Sequence, residues 1–112
     1  MPESGHTWQK PFKGEPIEAA HVRRWTTGRV MHPDAPLIAN ELYIAVLGSG
    51  APVVDMEIST AGSRIRITAR GADPLPILYS HGPGWQIVNG LAYLAGLTTD
   101  ECGLWAQLGT GR

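Results

Sequence analysis

The sequence predicts an α+β protein, a two-layer α/β sandwich in which a mixed, mostly antiparallel sheet carries helices on one face. Two observations predict it. The stretch "PVVDMEISTAGSRIRITAR" alternates apolar and polar residues on both sides of a glycine-containing turn, as a half-buried hairpin does. On either side of it, "HPDAPLIANELYIAVLGSG" and "GPGWQIVNGLAYLAGL" carry apolar residues at helical spacing. The resulting order of strand, helix, helix, hairpin, loop, helix and strand layers helices over a sheet.

Taken in order, "TWQKPF" alternates bulky and polar residues and predicts a short strand, which Pro11 ends or confines to a sheet edge. A helix follows from about Pro16, with Ala20, Val22 and Trp25 as its apolar stripe and Gly28 weakening its end. The second helix has Asp34 as N-cap and Pro36 in its first turn. Leu37, Ile38, Leu42, Ala45 and Val46 keep its period, and Gly48 and Gly50 stop it. In the hairpin, Val54, Met56 and Ile58 oppose Asp55 and Glu57, and Ile65, Ile67 and Ala69 oppose Arg64, Arg66 and Arg70. "GADPLPILYSHGPG" reads as a loop. From Trp85 a helix is expected to about Ala95, burying Val88, Leu91, Ala92 and Ala95, before a last strand at "GLWAQL".

A chain of 112 residues is enough for one domain with its own core, placed at residues 8–109 after a flexible segment over residues 1–7. The net charge of -1 argues against a nucleic-acid partner or an anionic membrane surface. A single cysteine, Cys102, excludes an internal disulfide and a cysteine-based zinc site; it reads as an incidental thiol. His6, His21, His32 and His81 show no metal-ligand spacing, so no metal site is expected. No apolar run approaches the ~20 residues of a membrane span, and the polar start is no signal peptide, so a cytoplasmic protein is expected. Arginine outnumbers lysine and Ala, Gly and Pro abound, as in chains from GC-rich bacterial genomes.

Three short motifs suggest chemistry: "ELYIA" on the second helix, "DP" after the hairpin, and Gly82-Pro83-Gly84 ahead of the third helix. Their order and spacing, from about Trp8 to Leu108, resemble the histidine-kinase-type ATPase domains of the GHKL superfamily, in particular the small bacterial anti-sigma-factor serine kinases. That resemblance implies a histidine-kinase-like ATPase fold and a nucleotide site. Glu41 then matches the glutamate that orients the phosphoryl acceptor. The magnesium-binding asparagine of those kinases is replaced by Ala45, and a methyl group cannot coordinate a hard cation. Their adenine-binding aspartate is replaced by Gly71, with Asp73 two residues on. Pro83 deprives the Gly82–Gly84 loop of an N–H with which to cradle phosphate.

The resemblance therefore implies a vestigial nucleotide pocket, formed by Asp73, Gly82 and Gly84 with Ala45 and Gly71 at the lost positions, and no cofactor. The expected function is bacterial regulation without kinase activity: sequestering or modulating a partner such as a sigma factor or a transcription regulator, with a homodimer as a further expectation. Two alternatives stand beside it. One is a weak ATP- and magnesium-binding kinase in which Asp73 replaces the lost aspartate and Asn40 or Asn89 takes the metal. The other is a small biosynthetic protein whose cleft, made apolar by Tyr43, Ile44 and Ala45, takes an apolar ligand. Arg64 and Arg66, with Trp8 and Trp105 on strands expected to be adjacent, are the candidate partner surface; a merely solvated sheet face is the alternative reading of the arginines.

Overall fold

The computed structural model describes residues 5–75 and 83–109. The "PILY" segment and Gly82 lie outside them. Five strands and three helices follow in the order β1 (Gly5–Lys13), α1 (Glu18–Thr27), α2 (Ala35–Leu47), β2 (Val53–Ala61), β3 (Arg64–Arg70), α3 (Pro83–Leu91), β4 (Leu94–Leu97) and β5 (Gly103–Leu108). The sheet order is β1-β2-β3-β5-β4. All its neighbours pair antiparallel, which corrects the mixed sheet expected from sequence. The two-layer α/β sandwich itself is as expected.

The hairpin forms where its alternation places it. Ile58 faces Ile67 and Met56 faces Ala69, and these side chains are fully buried. The two-residue turn Gly62-Ser63 needs a positive φ at its first position, and Gly62 supplies it at 61°. β1 pairs along all of β2, starting at Gly5, ahead of the residues that predicted it, and it lies at an edge as Pro11 requires. β5 adds to β3, bringing Ala106 opposite Ile67 and Leu104 opposite Ala69.

α2 is the centre of the helical layer. Ile38, Ala39, Leu42, Tyr43 and Val46 are buried against the sheet and the flanking helices, with α1 on one side and α3 on the other. Leu37, expected in the stripe, is 42% exposed, because the buried face is set by the residue beside it, Ile38. Asp34 holds the N-cap position without a side-chain cap bond; its own N–H donates to His32 Nδ1 at 3.1 Å. Gly50 provides the left-handed residue beyond the end, at φ 89°. On α1 the buried residues are Ala19, Val22 and Thr26, one position away from the expected stripe at Ala20, while Trp25 is half-buried and meets Phe12 edge-on at 5.7 Å.

The third helix is shorter than its periodicity suggested. It ends at Leu91, and Ala95, expected on the helix, lies in β4 opposite Ala106. "LAGL" is too short to show a strand period, and its leucines also continue the helical stripe. Antiparallel pairing of β4 with β5 decides the outcome.

Candidate functional site

Two places gather the residues that sequence reasoning singled out. The first lies between α2, the start of α3 and the end of β3. Glu41, midway along α2, brings Oε1 to within 2.5 Å of where a Cβ on Gly84 would stand. Gly84 is thus the residue that lets the α3 N-terminus close onto the Glu41 carboxylate. The carboxylate is steadied from its other side. Asn40 Nδ2 donates to Glu41 Oε2 at 3.2 Å, and Asn40 Oδ1 accepts from Arg23 Nη1 at 2.7 Å, a relay from α1 through α2 to α3. Asn40 is therefore committed to Arg23 and Glu41. Asn89, the other metal candidate, is exposed on α3.

Of the two positions expected to lack their nucleotide contacts, Gly71 is tightly packed and Ala45 is half-buried. A Cβ at Gly71 would stand 3.2 Å from both Val46 Cγ1 and Ala51 Cβ, tighter than ordinary packing, while the Gly71 N–H donates to the Cys102 carbonyl at 2.9 Å. Ala45 is half-buried and packs on the core. Asp73, two residues beyond Gly71, is exposed. The structure brings Glu41 and Gly84 together, with Gly71 at the α2 C-terminal end.

Tyr43, Ile44 and Ala45 do not line one cleft. Successive helical residues point about 100° apart. Accordingly Tyr43 is fully buried, Ile44 is exposed and Ala45 lies between. The Tyr43 hydroxyl has another role. It donates to the Lys13 carbonyl at 2.5 Å, stands 2.9 Å from the Glu15 carbonyl and accepts the Glu15 N–H at 3.3 Å, fixing the turn that leads from β1 into α1. Burial is the main cause of its raised pKa, so the phenol stays neutral.

The second place is the sheet face turned away from the helices. Its register places Gln9, Asp55, Glu57, Arg64, Arg66, Thr68, Arg70 and Trp105 there. A shallow groove of about 440 Å³ runs between Gln9, Pro11, Asp55, Glu57, Thr68 and Arg70. Gln9 Nε2 donates to Glu57 Oε1 at 2.7 Å, and Arg70 approaches Asp100 at 3.5 Å. Beyond the groove the character changes. The Arg66 guanidinium lies 4.2 Å from the centre of the Trp105 ring. That ring is anchored by Nε1 donating to the Leu97 carbonyl at 3.0 Å and by lying against Gly96, where a Cβ would come within 3.4 Å. Among the described residues, neither Arg64 nor Arg66 has an ion-pair partner.

Trp8 does not join this surface. It sits on β1 opposite Ile58, on the helix-facing side, half-buried against the core and stacked on His6 at 5.6 Å. β2 and β3 separate β1 from β5, so the expected adjacency of Trp8 and Trp105 is corrected on both strand order and face. Sequence reasoning missed the Arg66–Trp105 stack, because the pairing of β3 with β5 carries no local signal. Cys102 is half-buried, and burial together with the nearby Asp100 carboxylate pushes its thiol pKa up, which disfavours the reactive thiolate.

Among the described residues no His, Cys, Asp and Glu side chains cluster to hold a metal ion, and no helix is long and apolar enough to cross a membrane. Set against models of known protein families and against curated proteins, the sequence matches none.

Proposed function

We propose that this chain is a cytoplasmic bacterial regulator: a histidine-kinase-like ATPase domain that has given up its nucleotide and acts by binding a protein partner, such as a sigma factor or a transcription regulator, on its open sheet face. The observation that carries this reading is the Arg66–Trp105 platform. A tryptophan fixed by its own hydrogen bond and stacked on Arg66, with Arg64 two residues along the same strand and neither arginine ion-paired among the described residues, makes an aromatic and cationic patch on a face that none of the described helices covers. Tryptophan and arginine are the residues most enriched where binding energy concentrates in protein interfaces.

The loss of nucleotide chemistry is supported at the other place. Ala45 has no side-chain oxygen for magnesium, and the Glu41 carboxylate lies against Gly84. Metal neutralisation of phosphate charge carries much of phosphoryl transfer, so its loss removes catalysis before it removes binding. Partner control then works by occlusion, without phosphorylation.

Two measurements test the reading. Calorimetric titration with ATP and magnesium is expected to give no binding, and clear saturation at micromolar nucleotide overturns the vestigial site. Affinity capture from the native host is then compared between the wild type and the Arg64→Glu/Arg66→Glu variant. A partner retained by the wild type and lost by the folded variant is the expected result; equal capture by both removes the open face from the argument.

A further inference from the structure

We infer that the groove on the open sheet face is a binding site for a free α-amino acid, its ammonium held by Asp55 and Glu57 on β2 and its carboxylate by Thr68 and Arg70 on β3. Register sets these four side chains as a two-by-two block. Asp55 lies opposite Arg70 and Glu57 opposite Thr68, and all four line the groove of about 440 Å³. Acids stand on one strand and donors on the next. Adjacent strands lie about 4.8 Å apart, and an α-amino acid presents its two charges on the same scale, with a single carbon between them.

The opposite charges in the block do not cancel each other. Asp55 and Arg70 face one another across the strand pair, yet no ion pair joins them. Arg70 is drawn aside: its Nε lies 3.5 Å from Asp100 Oδ2, while Asp100 Oδ1 accepts from the Thr98 hydroxyl and the Cys102 N–H. With Nε so occupied, the two Nη atoms remain as a fork that can grip a carboxylate through parallel bonds. Glu57 is held in position by Gln9 Nε2 at 2.7 Å and by the Ser59 hydroxyl at 3.3 Å. The Asp55 side chain makes no hydrogen bond or ion pair among the described residues.

The lysines of β1 do not supply the missing cation. The Lys10 ammonium lies 5.7 Å from the centre of the Phe12 ring, on the helix-facing side, and Lys13 makes no ion pair among the described residues. Two carboxylates thus share one guanidinium that is itself shared with Asp100, and an ammonium makes up the deficit. A simple cation would leave the Arg70 fork and the Thr68 hydroxyl unused, and a simple anion would meet the repulsion of Asp55 and Glu57. A zwitterion satisfies both strands. The block adjoins the Arg66–Trp105 platform, since Thr68 pairs with Trp105, but shares no residue with it, so this inference does not rest on the partner surface.

Titration of the isotope-labelled full chain with each of the common α-amino acids in turn, followed by amide NMR shifts, tests it. One or a few are expected to move the amides of Asp55, Glu57, Thr68 and Arg70 and to saturate at millimolar concentration or below. The amide of the amino acid that binds lacks the negative charge, and its N-acetyl form lacks the positive one. Both are expected to bind at least about 10-fold more weakly. Asp55→Asn, which keeps the side-chain shape, is expected to weaken binding by roughly 10- to 100-fold, the range for one charge-assisted hydrogen bond. No saturable shift of those four amides with any amino acid at tens of millimolar overturns the inference, and that result depends on no variant folding. Equal binding of the amide, which marks a site for any cation, or of the N-acetyl form, which marks a site for any anion, also overturns it. So does unweakened binding to Asp55→Asn.

Discussion

Glu41 and Gly84 share one small space: the carboxylate Oε1 stands 2.5 Å from where a Cβ on Gly84 would lie. Gly84 is the second residue of α3, in the turn whose N–H groups lack helical partners and where the positive end of the helix dipole gathers. A carboxylate from α2 therefore sits where a helix favours an anion.

Gly84→Ala is expected to be destabilising alone and nearly neutral in a Glu41→Ala background, because the clash is with the end of that one side chain. A double-mutant cycle should return a coupling of about 0.5–3 kcal/mol, the usual range for residues in contact. Additive losses would mean that the two residues do not meet.

Arg66 and Trp105 are expected to couple more weakly. Cation–π contacts at exposed sites contribute roughly 0.5–1 kcal/mol. Arg66→Ala and Trp105→Leu, combined in a thermal-unfolding cycle, should show an interaction in that range. A larger value would mark the stack as structural, and would leave less of it free for a partner.

Tyr43→Phe removes the hydroxyl that serves Lys13 and Glu15 and changes nothing in the apolar ring. The expected cost is about 0.5–1.5 kcal/mol, the net contribution of a hydrogen bond whose backbone partners are part-buried and can turn to water. Denaturant unfolding measures it, and faster hydrogen exchange at the Glu15 amide should accompany it.

Two glycines should respond in opposite directions. A Cβ at Gly14 would collide with the Ala51 backbone carbonyl, which has no freedom to move aside, so Gly14→Ala should cost about 1–3 kcal/mol. Around Gly90, inside α3, nothing lies within 4 Å of the added atom. Gly90→Ala should therefore stabilise by about 0.5–1 kcal/mol through helix propensity alone. Melting temperatures of the two variants should bracket the wild type.

Acid should loosen the turn between β4 and β5 before the rest of the sheet. The Thr98 hydroxyl first, then the Cys102 N–H, hold the Asp100 carboxyl below its ordinary value of 3.8. A carboxylate favoured in the folded state contributes stability above its unfolded pKa, and loses it as pH falls through the lowered folded value. Exchange at the Cys102 and Gly103 amides should accelerate below about pH 4, the ordinary carboxylate range, and Asp100→Asn should abolish that step.

The hairpin and α2 were legible in the sequence because each repeats one period long enough to outvote chance, nine and seven residues for the strands and thirteen for the helix. β4 was not, since Leu94–Leu97 spans four residues whose leucines fit a helical stripe as well as a strand. The motif residues split in the same way. Glu41 and Gly84 were recognisable one by one, but their approach is a tertiary fact that no local spacing records. The expected adjacency of Trp8 and Trp105 failed because alternation tells which residues share a side of a strand, and neither which strand lies beside it nor which side meets the helices.

β5, the last of the described strands along the chain, lies inside the sheet, between β3 and β4. During synthesis the hairpin and both early helices leave the ribosome before the strand that joins β3 to β4 has been made. Until Gly103–Leu108 emerges, Ile67 and Ala69 on β3 lack their neighbours Ala106 and Leu104, and β4 has no strand to pair with. Non-local pairing of this kind slows folding and prolongs the exposure of strand edges. The nascent sheet is therefore most vulnerable to aggregation and chaperone capture just before β5 is translated.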